Sequence, residues 1–328
     1  MLTKQEKTLL VVLVSGTIMM LLITLCLVSN NNDTAVYNNR ILIIHTGGTI
    51  EDSFKHYYDN NKEEFENVDF VSFDPLLYSP DVKPLEWNKI VNNINTYYSD
   101  YDAFIIVHGK ETLHYTASAL SFMLENLKKP IVFTDCNISK TLLKIRTSDI
   151  NEVMVYSNDC LLRACKTTPD TTSGDFKSPN YPPLTNANCL PRPEDELQIK
   201  YVNPSIKIIV VKLFPGADTK YISGIVARAP VHGIILETYG TGKITNNDEL
   251  TGTLLDLAKK GVVIVSVSQT DTIDTEMDND SLISAGVLCG GNMTTSAAFT
   301  KLHYLMGNVQ DRKIIAKLLE KNFKGELD

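Results

Sequence analysis

Two short runs in this 328-residue chain place hydroxyls and charges on glycine turns at the ends of apolar stretches. The first is His45-Thr46-Gly47-Gly48-Thr49-Ile50, which follows Ile41 to Ile44. Two glycines let the backbone turn tightly and approach a ligand, and the flanking threonines offer hydroxyls, although a Gly-Gly turn by itself is most often only a turn. The second is Val107-His108-Gly109-Lys110-Glu111-Thr112, which follows Ala103 to Ile106. A lysine beside a glutamate in a partly buried site either carries a shifted pKa or plugs the site as an inert ion pair. There is no G-x-G-x-x-G and no G-x-x-x-x-G-K-[ST], so the usual nucleotide signals are missing.

The elements that must hold these runs follow from hydropathy. Ile41 to Ile44, Ala103 to Val107, Ile131 to Phe133 and Val153 to Tyr156 read as buried strands. Tyr115 to Leu127 has apolar residues at helical spacing. A second set follows, with strands at Ile206 to Leu213, Gly233 to Leu236 and Val262 to Val267, and helices around Tyr221 to Ala227, Leu250 to Lys260 and Thr295 to Met306. Continuous apolar strands separated by helices indicate parallel sheets covered on both faces, an α/β fold. In such sheets ligands bind beyond the carboxyl ends of the strands, where both runs lie. The expected domains span 40–190 and 205–328, with a linker over 191–204 in a stretch rich in Pro, Asn and acidic residues.

Composition bounds the partners and the compartment. With 31 basic and 39 acidic residues the formal charge is −8, which offers no global basic field to a nucleic acid. No charged residue occurs between Thr8 and Asn32, and Leu9 to Val28 is nearly all apolar. Twenty such residues match a hydrocarbon thickness of roughly 30 Å. The run is longer than the apolar region of a cleaved signal peptide and lacks the polar stripe of a core helix. It predicts a transmembrane signal anchor over 9–28, a cytoplasmic segment 1–8 carrying Lys4 and Lys7, and a stalk over 29–39. The charge bias then makes a single-pass type II membrane protein with a lumenal or extracellular C-terminal part. Cys26 falls in that span. Cys136, Cys160, Cys165, Cys189 and Cys289 would lie where disulfides persist, at spacings that suit no zinc site. Glycosylation tripeptides occur at Asn32, Asn137, Asn279 and Asn292.

The longer pattern around the two runs resembles the bacterial-type L-asparaginase family, closest to its cytoplasmic type I branch. The resemblance rests on Thr46-Gly-Gly-Thr-Ile50, Asp74-Pro-Leu-Leu-Tyr-Ser-Pro-Asp81, His108-Gly-x-x-Thr112 with Tyr115 to Asn126 after it, and Lys129-Pro-Ile-Val132. Tyr239-Gly-Thr-Gly242, Gly291-Asn-Met-Thr294, Thr300 to Leu305 and Gly325-Glu-Leu327 complete it, in order over residues 40–328. It implies a two-domain fold and hydrolysis of L-asparagine to L-aspartate and ammonia, with no cofactor and no metal. The nucleophile position is Thr49. Tyr58, with Tyr57 beside it, matches an assisting tyrosine, and Ser79 matches the serine that holds the substrate's α-carboxylate. The family is commonly tetrameric, with a neighbouring subunit completing each site near Asp271 to Ser284; that segment diverges here, so the resemblance leaves open whether the chain forms a homo-oligomer.

Departures from the family pattern fall on its proton relay. Lys110 and Glu111 stand where H-G-T-D-T has a relay threonine and an aspartate that also binds the substrate's amino group. Pro169 stands at the relay lysine, and Lys166, three residues early, replaces it only if the loop is rebuilt. The segment Cys136 to Ile150 is much shorter than its family counterpart. One or two disulfides among Cys136, Cys160, Cys165 and Cys189 would replace packing lost there; buried small thiols are the equal alternative. The functional expectation is a membrane-anchored family member with impaired or no hydrolysis. A residual asparaginase using the Lys110 amine, a non-catalytic binding or display protein, and a sensor of asparagine or aspartate through Ser79 and Glu111 are the alternatives.

Overall fold

A computed structural model describes residues 40–48, 58–217, 219–244, 248–270 and 280–328. The residues from Asn38 onward form one compact unit containing two parallel-sheet assemblies. The first contains β1 (Ile41–His45), β2 (Val68–Ser72), α1 (Pro84–Tyr97), β3 (Ala103–Val107), α2 (Leu113–Met123), β4 (Leu124–Glu125), β5 (Ile131–Thr134), α3 (Ile138–Arg146), β6 (Val153–Ser157) and β7 (Cys160–Arg163). Its six-stranded sheet runs β2-β1-β3-β5-β6-β7, parallel except for the last pair. The hairpin β8 (Thr168–Pro169) and β9 (Phe176–Lys177) follows, and β10 (Gln198–Ile199) pairs back onto β4.

The second assembly contains β11 (Ile208–Lys212), α4 (Thr219–Arg228), β12 (Gly233–Thr238), α5 (Asp248–Lys259), β13 (Val263–Ser268), α6 (Asp280–Ser284) and β14 (Leu288–Cys289). α7 (Thr295–Asn308) and α8 (Arg312–Leu319) close it. Its four strands are parallel in the order β11-β12-β13-β14. The two assemblies pack through α2 and α7, where the buried Ser118 and Thr300 hydroxyls lie 2.8 Å apart.

Strand alternation assigns the layers. Leu42, Ile44, Phe104 and Ile106 pack with Trp87, Ile90 and Ile94 of α1 and with Leu113 and Leu120 of α2. Ile41, Ile43, Ile105 and Val132 face the other way, onto Ile138, Leu142 and Ile145 of α3. This period-two partition puts helices on both faces, as the continuous apolar strands require. α1 begins with Pro84 at its first turn, and the Glu86 carboxylate accepts the Lys83 N–H at 3.0 Å. Both features satisfy helix-start constraints.

The chain's last residues described are pinned to this core. The Lys301 ammonium and the Glu326 carboxylate are both fully buried and 2.7 Å apart. Lys301 also donates to the Leu319 carbonyl, and Glu326 accepts the Phe323 and Lys324 backbone N–H groups. With these partners the pair avoids the cost of an isolated buried charge.

Several expectations need correction. The helix expected over Tyr115 to Leu127 stops at Met123, because Leu124 and Glu125 leave it to pair with Ile199 and Gln198. The segment after β5 forms α3, which buries Ile138, Thr141, Leu142 and Ile145. Cys136, Cys160, Cys165, Cys189 and Cys289 are all free. Cys165 is sealed in the core against the Lys324 carbonyl, while Cys189 lies at the Asn186 carbonyl. Asn292 is 3% exposed and accepts the Asp328 N–H, which denies a glycan access in the folded chain. Asn32 and Asn279 lie outside the described residues, and Asn137 is exposed. The type II membrane placement is corrected as well: among the described residues no helix is long and apolar enough to cross a membrane. Leu9 to Val28, which raised that expectation, lies outside the described residues, as do segments 1–8 and 29–39.

Two stability outcomes follow. Removing the Glu326 carboxylate strands a buried ammonium, so Glu326→Ala should lose about 3–5 kcal/mol in urea unfolding. Burial lowers the pKa of His108, His114 and His303 to about 4 each. Their folded values lie below the unfolded value of about 6.5, so below that pH the unfolded chain binds more protons. Stability should therefore be full above pH 6.5 and fall as pH drops towards 4; a melting temperature unchanged between pH 7 and 4.5 would contradict this.

Candidate active site

The order β2-β1-β3 reverses direction between β1 and β3, and an open α/β sheet leaves a crevice at the carboxyl ends of such strands. Here β1 and β3 are paired in register from Ile41 with Ala103 to His45 with Val107, so the turns after them emerge side by side. Thr46 donates from both its backbone N–H and its hydroxyl to the Val107 carbonyl, each at 2.9 Å.

Glycine is needed at three points of this junction. A Cβ on Gly47 would lie 2.0 Å from the Leu77 carbonyl oxygen. Gly48 has φ +113°, and a Cβ there would lie 3.2 Å from the Gly109 nitrogen. A Cβ on Gly109 would overlap the Ser79 Cβ at 2.4 Å. Leu77 donates its N–H to the Thr46 carbonyl at 2.7 Å, which brings the loop after β2 onto the same turn.

That loop delivers Ser79, which is buried. Its hydroxyl donates to the Gly109 carbonyl at 2.8 Å and accepts the Thr112 backbone N–H at 3.1 Å. The Thr112 hydroxyl in turn donates to the Ser79 carbonyl at 2.8 Å. Below the turn, the His108 ring bonds the Gly109 carbonyl at 2.8 Å and meets the Thr116 hydroxyl at 3.0 Å. With its pKa lowered by burial, this imidazole is neutral at pH 7 and braces the turn as a hydrogen-bonding spacer.

Lys110 and Glu111 do not pair with each other. The Lys110 ammonium reaches Asp175 at 3.1 Å and Asp135 at 3.3 Å. The hydrogen bond to Asp175 is the main reason its pKa is raised, with Asp135 adding to it against a smaller burial penalty. A raised lysine pKa means that the charge and its pairing persist through neutral pH and are lost only as pH climbs through that raised value. The Glu111 carboxylate is exposed and has no hydrogen-bond or ion-pair partner among the described residues.

The remaining expected positions fall elsewhere. Thr49 lies outside the described residues, as does Tyr57. Tyr58 packs between Phe65 and Phe70, and its hydroxyl donates to the Val68 carbonyl at 2.6 Å. Burial raises its pKa. Lys166 is buried on a 3₁₀ turn, Ala164–Lys166, and its ammonium is bonded to Asp328 at 2.9 Å. Pro169 is exposed in the β8–β9 hairpin. Asp135 and Asp175 were not marked as site residues by the sequence. The first follows β5 and the second lies in the hairpin loop, 65 residues after Lys110, a juxtaposition that no local spacing encodes.

Residues 40–197 match the family described as Asparaginase, N-terminal, and residues 207–319 match the Glutaminase/Asparaginase C-terminal domain. The chain is 35% identical over 295 residues to L-asparaginase 1 of Escherichia coli strain K12, covering 81% of this chain and 87% of that protein. It is 30% identical over 286 residues to the 60 kDa lysophospholipase of Mus musculus, covering 77% of this chain and 50% of that protein. The solved structure of L-asparaginase I from Vibrio cholerae superposes with a TM-score of 0.80 at 29% identity, covering 88% of this chain and 99% of that one.

The three-glycine junction makes its own prediction. Gly109→Ala forces its new methyl into Ser79 Cβ, so it should lower unfolding free energy by about 1–3 kcal/mol. Thermal or urea unfolding measures this, and an unchanged midpoint would mean that the loop carrying Ser79 does not press on the turn.

Proposed function

The chain belongs to the asparaginase family, and we propose that it keeps the family's amino-acid pocket in outline but is impaired in hydrolysing L-asparagine to L-aspartate and ammonia. The observation that carries this reading is the state of Lys110, its ammonium held between Asp175 and Asp135. A threonine hydroxyl attacks an amide only when a base removes its proton, and a base must offer a free lone pair. An ammonium with a raised pKa offers none at neutral pH.

The other two amine positions do not supply it. Pro169 has no amine, and Lys166 is engaged by Asp328. Thr49 therefore remains as a nucleophile position without its relay. Removing members of a catalytic unit typically costs several powers of ten, and the losses are not additive. A second reading, an amino-acid binding protein or sensor, is favoured by one feature: the unpaired Glu111 carboxylate beside Ser79 leaves an acceptor for a ligand's ammonium. No cofactor enters either reading, and completion of the pocket by a second copy of the chain belongs to both.

Ammonia release by the purified full-length chain, with L-asparagine and L-glutamine, tests the proposal beside Thr49→Ala. Wild-type release should stand within about tenfold of that control, roughly a thousandfold or more below what an intact relay supports. The combined variant Lys110→Thr, Glu111→Asp, Pro169→Lys should raise release by at least about tenfold. Vigorous wild-type turnover abolished by Thr49→Ala would overturn the proposal.

A further inference from the structure

A cavity distinct from the crevice lies where the last residues of the chain meet β4, β6 and the segment after Cys189. Its volume is about 240 Å³, and Leu124, Leu127, Val153, Leu190, Pro193 and Phe323 give it apolar walls. At about 30 Å³ for each water-sized atom, that is room for roughly eight non-hydrogen atoms. The exposed Pro191 stands at its rim. None of Ser79, Lys110 and Glu111 lines it.

Three charged side chains line this space, Glu152, Arg163 and Lys324. Two of them cancel. Arg163 donates to both Glu152 oxygens, at 2.7 and 3.0 Å, and Glu152 also accepts the Leu190 N–H at 2.6 Å. Arg163 gives a further bond to the Asn188 carbonyl and lies over the Tyr181 ring. Lys324 is placed differently. Its ammonium has three protons to donate, and its hydrogen-bond partner among the described residues is the Leu124 carbonyl, at 2.9 Å. The carboxylates that act on it through space are engaged elsewhere: Glu125 accepts the Tyr304 hydroxyl, Glu326 pairs with Lys301, and Glu152 with Arg163. A buried ammonium without a counter-ion is unfavourable, and burial lowers the Lys324 pKa.

The geometry points to this cavity as a binding site for a short-chain monocarboxylate, its carboxylate on the Lys324 ammonium and its aliphatic tail against Leu127, Val153 and Phe323. The ligand's single negative charge matches the one surplus positive charge, and its tail removes apolar wall from water. Ser121 supplies a second donor. Its hydroxyl, on the cavity wall, donates at 3.1 Å to the Ala117 carbonyl, which already accepts a backbone N–H within α2. Turning that hydroxyl to the ligand therefore orphans no acceptor. Hexanoate has about as many atoms as the space holds, and its occupation ties the end of the chain to β4 and to Leu190.

Calorimetric titration of the full-length chain compares hexanoate with hexanamide and hexylammonium, which keep the tail and change the charge, and with acetate, which keeps the charge and drops the tail. Hexanoate should bind at least about tenfold more tightly than each of the others, because the charge-assisted hydrogen bond and the buried methylenes each supply that much. Lys324→Met should remove the advantage of hexanoate over hexanamide, while Lys324→Arg keeps it. Leu190→Trp, which fills the cavity from a half-buried position and leaves Lys324 in place, should abolish hexanoate binding. The wild-type series is read on the native chain, so it decides the charge preference even where Lys324→Met fails to fold. Hexanoate matched by hexanamide or by acetate, hexanoate binding unchanged by Leu190→Trp, or no hexanoate binding at all would overturn the site.

Discussion

Everything at the crevice depends on backbone approaching backbone. Gly47 lies under the Leu77 carbonyl and Gly109 against Ser79, each with no room for a Cβ, while Gly48 packs on Gly109 with φ +113°, a conformation that favours glycine. Parallel strands 4.7–4.9 Å apart deliver two turns side by side, and only glycines let a third loop close over them. Once that closure is made, Ser79, Thr112 and the Gly109 carbonyl form one hydrogen-bonded set, and the side chains of residues 110 and 111 must project from it.

What those side chains do is decided by where the chain disposes of its ammonium groups. Lys301 is matched by Glu326 in the core, Lys166 by Asp328, and Lys110 by Asp135 and Asp175. Lys324 donates to the Leu124 carbonyl, and burial lowers its pKa. Each of these amines is held by a structural partner. The same disposition leaves the Glu111 carboxylate without an ion-pair partner among the described residues.

Much of the fold was legible in the residues. Buried parallel strands read as unbroken apolar runs because both their faces are covered, so Ile41 to Ile44, Ala103 to Val107 and Gly233 to Leu236 were placed within a residue or two. Helix ends were harder. The apolar spacing continues through Leu127, yet the helix stops at Met123 because a distant strand, Gln198–Ile199, captures the next two residues. α3 was overlooked in a segment judged only by its shortness, although Ile138, Leu142 and Ile145 carry a helical period. The cysteines were read by compartment, and their free state follows from where each thiol sits in the packed chain.

The sequence by itself determined the α/β class, most of the long apolar strands and the two glycine turns, because strand burial and turn geometry are local properties. Only the tertiary structure decided that Lys110 turns from Glu111 to Asp135 and Asp175, that Lys166 is held by Asp328, and that the Ser79 hydroxyl meets Gly109 and Thr112. Those outcomes depend on which distant carboxylates and carbonyls the sheet order and the hairpin bring within about 3 Å, a distance that sequence separation does not encode.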